Sequence, residues 1–202
     1  MESSAPSPTA RPRNAKATQE RLLLAAIDEF AAHGLAGARI DRIAERADAN
    51  KRLIYAYFGS KDDLFDAVLE RTLTVLTESV PFTADDLSNY AGEVFDRLAE
   101  QPKVLRLATW RNFERARSSE PERESYARKL AAIKGAQKTG AVDAAIPAAD
   151  LLAMIMSLIT SWLAAPPALK ELGGGSNPMS ARRLTQHRKA LVEIVARVVE
   201  PR

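Results

Sequence analysis

Residues 38–61 read ARIDRIAERADANKRLIYAYFGSK and carry the most informative pattern in this chain of 202 residues. The first half has the i, i+3, i+4, i+7 spacing of a short amphipathic helix. Its apolar residues are Ile40, Ile43, Ala44 and Ala47. Asp48 tolerates the left-handed backbone of a tight turn, and Asn50 is a strong helix N-cap. A second short helix is predicted from about Lys51 to Tyr57. This arrangement predicts a helix-turn-helix, whose second helix enters the major groove of DNA.

The start of the second helix carries the residues that we expect to read DNA. Lys51 and Arg52 lie in its first turn, where side chains reach base edges, and arginine pairs with guanine through two hydrogen bonds. Leu53 is placed to contact a thymine methyl group. Asn50 is a further candidate contact. Arg39 stands where the first helix needs a cap, so it either costs that helix stability or contacts a phosphate.

Three motifs at fixed offsets resemble the signature of the TetR/AcrR family of transcriptional regulators. They are Ile43-Ala44, then Ile54-Tyr55-Ala56-Tyr57-Phe58, then Ser60-Lys61-Asp62-Asp63-Leu64. The resemblance covers about residues 20–70. The turn departs from the family pattern, because Asp48-Ala49-Asn50 stands where Gly-Val-Ser is usual. For this reason the operator sequence cannot be taken over from a relative.

The resemblance implies a fold, partners and further DNA contacts. The implied fold is all-α, with an N-terminal three-helix helix-turn-helix domain and a C-terminal helical domain for ligand binding and dimerisation. Tyr55, Tyr57 and Lys61 match family positions that contact the phosphates of double-stranded DNA. The implied function is repression from a palindromic operator, with release by a small apolar or amphipathic effector. An activator, or a regulator without a small-molecule ligand, is the alternative.

Composition narrows the class of protein. The chain has no Cys, which excludes disulfides, thiolate metal sites and a cysteine nucleophile. Only His33 and His187 supply imidazoles, and no nucleophile, nucleotide-loop or metal-ligand motif is present. We therefore expect no enzyme activity, no cofactor and no metal. The net charge is +3, and residues 1–61 hold all of the excess, with 10 Lys or Arg against 7 Asp or Glu.

Hydropathy gives no sign of a membrane protein. The longest apolar run, Leu151–Ile159, is shorter than the ~20 residues that span a bilayer. The N-terminus lacks the apolar segment of a signal peptide. A cytoplasmic protein without a membrane partner is therefore predicted.

Three parts are predicted along the chain. Residues 1–15 form a disordered arm, residues 16–60 the helix-turn-helix domain, and residues 61–202 the ligand-binding and dimerisation domain. About nine helices are expected in all, because no strand pattern appears. The three consecutive glycines within Pro166–Pro178 predict a flexible connector there. Ser60 is expected to cap the helix that follows the helix-turn-helix.

The last two long helices carry more apolar residues than one core can cover. The first of them is apolar nearly all round, and such a helix must be covered on every side. The simplest cover is the same pair of helices from a second copy, and the resemblance implies the same homodimer. The expected interface residues are Leu151, Ile155, Ile159, Leu191, Ile194, Val195 and Val198. The alternative is a central helix buried within a monomer.

Aromatic and methionine residues of the C-terminal half suggest a ligand pocket. Such side chains often line apolar cavities between helices, although they equally form plain core. The resemblance favours a cavity in this half of the chain. The candidate ligand residues are Phe95, Arg106, Trp110, Phe113, Tyr126, Met154, Leu158 and Trp162. Arg106 and Arg111 lie near the candidate wall, where they would pair with a carboxylate on the ligand. The alternative is that they are solvated or pair with Glu114 and Glu100.

Overall fold

The computed structural model describes residues 10–114 and 117–201. For residues 10–13 and 73–78 it describes the backbone only. The described residues form ten α-helices and one short 3₁₀ turn, with no strand among them, which confirms the all-α prediction. The helices are α1 (Ala10–Gly37), α2 (Ile40–Arg46), α3 (Lys51–Phe58), α4 (Lys61–Ser79), α5 (Leu87–Glu100), α6 (Pro102–Glu114), α7 (Glu120–Thr139), α8 (Ala148–Thr160), α9 (Pro167–Gly174) and α10 (Ala181–Val199). The 3₁₀ turn spans Ala84–Asp86. No helix in the described ranges is long and apolar enough to cross a membrane.

Two segments differ from the sequence-based expectation. α1 begins at Ala10, so residues 10–15 of the expected arm are helical, and residues 1–9 lie outside the described range. Pro12 is compatible with this start, because the N–H groups of a first turn have no helical partner to lose. α9 forms where a connector was expected. Pro167 suits a first helical position, and the good helix formers that follow it outweigh the glycines at the end of α9.

The chain folds into two compact units. The first runs to Thr74 and includes Lys103–Arg117, and the second comprises Val75–Pro102 and Ser118–Arg202. This division differs from the expected boundary at residue 60, because most of α4 and nearly all of α6 belong to the first unit. Side-chain packing explains the placement of α6, since its Leu107 is buried among residues of α1 to α4.

The core of the first unit is aromatic at its centre. Phe30 of α1 and Phe65 of α4 are fully buried, and their rings meet edge to face with centroids 5.0 Å apart. Edge-to-face aromatic pairs add to the stabilisation that burial alone provides. The other fully buried side chains of this core are Leu22, Ala26, Ile43, Ile54, Leu64, Val68 and Leu107. This core fixes α2 and α3 against a rigid base.

A break in α1 directs the chain into α2. Gly34 has φ 67°, a left-handed backbone that favours glycine, and a Cβ there would lie 3.0 Å from Trp110 and from Glu114. Glu114 at the end of α6 accepts hydrogen bonds from the Leu35 N–H at 2.5 Å and the Ala36 N–H at 3.4 Å. These bonds satisfy amides that the break exposes, so α6 stabilises the approach to the helix-turn-helix.

The second unit is built around α5. This helix packs along α10 and also against α8. Gly92 permits the close approach, because a Cβ there would meet the Arg188 guanidinium at 2.9 Å and Val192 at 3.0 Å. The Nε of Arg188 lies 2.6 Å from Oδ2 of Asp96, which joins α10 to α5 by a charge-assisted hydrogen bond.

Candidate nucleic-acid interface

The turn between α2 and α3 has the predicted conformation. Asp48 has φ 47°, and it is the one non-glycine residue with positive φ in the described parts of the chain. The Ala49 N–H donates to the Ala44 carbonyl at 3.0 Å, which closes the turn. From α1, the Nε of Arg21 donates to the Ala47 carbonyl at 3.1 Å. The turn is thus held both by its own backbone and by α1.

The start of α3 is capped as expected. Oδ1 of Asn50 accepts a hydrogen bond from the Arg52 N–H at 2.9 Å. This bond satisfies one of the free amides of the first turn and fixes the direction of α3. The side-chain oxygen of Asn50 is thus engaged within the protein, and its role in the structure is that of a cap.

α3 divides the predicted DNA contacts between two faces. Ile54 is fully buried, and Leu53 and Tyr57 are half-buried against the same core. Lys51, Arg52 and Tyr55 lie on another face and are exposed. The Tyr55 side chain keeps 52% of its surface open to solvent. The exposed face therefore carries two cations and one phenol hydroxyl, which suits base edges and phosphates.

The two cations of α3 differ in their surroundings. Nζ of Lys51 lies 3.1 Å from Oδ1 of Asp41 on α2, and both side chains are well exposed. An exposed ion pair of this kind contributes about 0–1 kcal/mol, so a DNA phosphate can readily replace it. Arg52 forms no ion pair or side-chain hydrogen bond with the described residues, which leaves its guanidinium fork ready for a ligand.

Lys61 and Arg39 flank the helix-turn-helix. The half-buried Lys61 donates from Nζ to the Ala36 carbonyl at 3.3 Å, which links α4 to the end of α1. Ser60 caps α4 as predicted, since its Oγ accepts from the Asp63 N–H at 3.1 Å. The exposed Arg39 makes no side-chain cap for α2, so its guanidinium remains accessible.

A buried carboxylate, which the sequence reasoning missed, orders this region. Glu29 of α1 is only 2% exposed and accepts from the Arg39 N–H at 2.9 Å and from Nε of Arg42 at 2.8 Å. Burial alone would raise the pKa of Glu29, but the hydrogen bonds from Arg42 and Arg39 and the charge of Arg42 outweigh it. The pKa of Glu29 therefore lies below its usual value. Its position three residues after Ala26, on the apolar face of α1, was the signal available in the sequence.

The candidate ligand residues of the second unit differ in their burial and surroundings. Phe95 and Trp162 are at most 5% exposed, and the His187 ring lies against both, with centroid distances of 5.2 and 5.9 Å. Burial, and then the charge of Arg183, lower the pKa of His187, which favours a neutral ring in this stack. Leu158 is half-buried, and Tyr126 remains 38% exposed. Phe95 and Trp162 therefore form core, the alternative that the sequence left open.

The other candidate ligand residues lie elsewhere. Arg106, Trp110 and Phe113 lie on α6, in the first unit, where Trp110 packs beside Gly34. Phe113 is 82% exposed and Met154 of α8 is 52% exposed, so neither lines an enclosed pocket. A surface depression of ≈ 370 Å³ is lined by the 3₁₀ turn, Val142 and the end of α10. None of the eight candidates borders this depression, and their role in ligand binding stays a prediction.

The expected dimer residues differ in how far one protomer buries them. Five of the seven are at most 2% exposed within the protomer, and they are Leu151, Ile155, Ile159, Leu191 and Val195. They face inward because α8 and α10 both pack on α5. Ile194 is 45% exposed, and Val198 is half-buried. A helix that is apolar all round does not show in its sequence which face meets its own core.

A helix-turn-helix unit together with a second helical unit is the arrangement of a DNA-binding regulator, and it places this chain in that class. The profile of "Bacterial regulatory proteins, tetR family" matches residues 22–68, and that of "Tetracyclin repressor-like, C-terminal domain" matches residues 86–197. The chain belongs to the TetR family of transcriptional regulators.

Relatives that match over most of their length support the same family assignment. The chain is 43% identical to the HTH-type transcriptional repressor SCO4008 of Streptomyces coelicolor, over 81% of this chain and 88% of the relative. The crystal structure of the putative regulator SCO4942, also from Streptomyces coelicolor, is 38% identical with a TM-score of 0.80. That comparison covers 92% of this chain and 99% of the other. A TetR-family regulator of Marinobacter aquaeolei shares the fold at 16% identity and a TM-score of 0.71, over 95% and 100% of the two chains.

Proposed function

We propose that this chain is a homodimeric repressor that reads a palindromic operator through α3 and releases it when an effector binds the second unit. The observation that carries the proposal is the division of α3. Its buried Ile54 fixes the helix on the core of the first unit, and Lys51, Arg52 and Tyr55 remain exposed on another face. The chain's 43% identity to a named repressor favours repression over activation. A repressor of this kind acts in the cytoplasm, where its operator lies.

Dimerisation is supported by the apolar surface that α8 and α10 leave uncovered. Met154 of α8 and Ile194 of α10 are 52% and 45% exposed. A twofold dimer through these helices would bring each residue to the partner's equivalent surface. Two helix-turn-helix units related by this twofold axis bind half-sites roughly 34–36 Å apart, or a multiple of that distance.

Release by an effector requires a difference in affinity. The effector must bind the DNA-incompetent state more tightly, because equal affinity for both states shifts nothing. A regulator that works without a small molecule is the second candidate, and the burial of Phe95 and Trp162 in a packed core favours it. Calorimetric titration of the DNA-free protein with candidate effectors distinguishes the two, because a regulator that works without a small molecule binds none of them.

We expect Arg52→Ala to weaken operator binding by about 1–3 kcal/mol and to relax the preference for one base pair. The reason is that an exposed guanidinium at the start of a recognition helix pairs with a base edge. The measurement is fluorescence anisotropy with the operator found upstream of the protein's own gene or its neighbours, and with single-base variants of that operator. Arg97→Ala, an equally charge-removing change on α5, should leave binding unchanged.

Two results would contradict parts of this proposal. Uniform weakening on every operator variant would make Arg52 a phosphate contact and not a base contact. Full affinity of the Arg52→Ala variant would exclude Arg52 as a DNA contact. A double variant that also lacks Lys51 then tests whether any part of α3 contacts DNA.

A further inference from the structure

A lysine lies in the interior of the second unit. Lys129 of α7 is 9% exposed, whereas lysine is almost never fully buried unless it is paired. No carboxylate among the described residues lies within ion-pair distance of its ammonium. This cation therefore differs from the surface lysines of the chain, and the proposed DNA contacts do not use it.

Three aromatic rings and one hydroxyl surround this ammonium. Nζ of Lys129 donates to the Tyr90 hydroxyl oxygen at 3.0 Å. Nζ also lies 5.8, 5.5 and 5.5 Å from the ring centroids of Phe82, Tyr90 and Tyr126. Phe82 and Tyr90 meet edge to face at 4.9 Å, which holds two of these rings in place. We call Lys129, Tyr90, Phe82 and Tyr126 the lysine cage.

The cage compensates the buried charge only in part. An ammonium has three N–H donors, and Tyr90 accepts one hydrogen bond. Burial lowers the pKa of Lys129 and raises the pKa of Tyr90, because both charged forms are poorly solvated there. The rings attract the cation, but they do not replace a counter-ion. An anion that enters the lysine cage would accept a further hydrogen bond from the Lys129 ammonium and would balance its positive charge.

The cage also reaches the protein surface. Tyr126 keeps 38% of its surface exposed, and Phe82 is half-buried. These two rings offer an apolar face at the edge of the cage, and the ammonium and the Tyr90 hydroxyl lie further inside. A molecule with an acidic head and an apolar body matches this order of groups.

We propose that the lysine cage binds the carboxylate of a small apolar acid, with Lys129 and Tyr90 holding the carboxylate and Phe82 and Tyr126 packing on the apolar body. This inference deepens the proposed function, because it assigns the chemical class of the effector. A cationic ligand is disfavoured, since it would meet the ammonium of Lys129 at the centre of the cage.

The test uses the full-length protein without DNA. Benzoate, 2-naphthoate and octanoate are titrated by calorimetry, each beside its uncharged primary amide. The wild type is expected to bind at least one acid about 10- to 100-fold more tightly than its amide, as hydrogen bonds to charged groups contribute. Lys129→Met should abolish this preference, and Tyr90→Phe should reduce it several-fold. Lys134→Met, an exposed lysine on the same helix, should retain it.

Several outcomes would overturn the inference. These are absence of binding of all three acids, equal binding of acid and amide by the wild type, or an unchanged preference in Lys129→Met. If Lys129→Met fails to fold, Tyr90→Phe decides, because it removes only a hydroxyl. Operator binding by the ligand-free protein is measured separately. If the protein binds acids but no operator, the proposed function is overturned and the carboxylate site stands. If it binds the operator but shows no preference for the acids, the carboxylate site is overturned and the proposed function stands.

Discussion

Replacing Ile194 by Asp is expected to leave the protein monomeric and to lower its operator affinity by about 100-fold or more. Ile194 is 45% exposed on α10, so the substitution leaves the core of the protomer intact. In a twofold dimer each substitution occurs twice, and an unpaired carboxylate buried in an apolar interface costs several kcal/mol. Analytical ultracentrifugation measures the oligomeric state, and fluorescence anisotropy measures the operator affinity.

The control for this experiment is Leu172→Asp. Leu172 of α9 is 89% exposed and lies outside α8 and α10, so its substitution should preserve both the dimer and DNA binding. Circular dichroism checks that both variants keep their helices. A dimeric Ile194→Asp protein with full operator affinity would exclude this part of α10 from the interface.

The second large effect is expected from Glu29→Gln. We expect the free energy of unfolding of the first unit to fall by about 1–3 kcal/mol, because Gln keeps an acceptor oxygen but loses the negative charge that strengthens the bonds from Arg42 and from the Arg39 N–H. The loss should loosen the start of α2 and thereby weaken DNA binding as well. Urea unfolding gives the stability, and Glu45→Gln, an exposed acid on α2, is the matched control.

The same carboxylate gives the stability a pH dependence. The folded-state pKa of Glu29 lies below the ordinary value of 4.5, so the unfolded chain takes up a proton at higher pH than the folded chain does. Its contribution is fully present above about pH 4.5 and is lost as the pH falls through the folded-state pKa. Glu29→Gln should remove this contribution, so its stability should fall less steeply with acid than that of the wild type. Parallel curves for the two proteins would contradict this assignment.

The sequence predicted the helix-turn-helix well because its signals are local. The left-handed Asp48, the Asn50 cap and the Ser60 cap each depend on a few neighbouring residues, and each has the predicted geometry. The all-α fold followed from the same kind of signal, repeated along the chain.

The features that escaped prediction depend on contacts between distant residues. Nothing near Glu114 in the sequence indicates that it caps amides about 80 residues earlier. The apolar pattern of α8 identifies Ile155 as buried but does not say whether its own core or a second copy covers it. For the same reason the pattern did not distinguish Phe95 as core from a pocket wall.

The path of the chain constrains how such a protein can be rebuilt. Because α6 belongs to the first unit, the polypeptide passes between the two units three times, near residues 74, 102 and 117. A fragment that stops after α4 would lack Leu107 and Trp110, which pack on the core of the first unit, and Glu114, which accepts hydrogen bonds at the break in α1. A single recombination crossover therefore cannot exchange the first unit intact without also carrying residues 75–102 of the second unit. A working hybrid regulator therefore has to take α6 from the same parent protein as its helix-turn-helix.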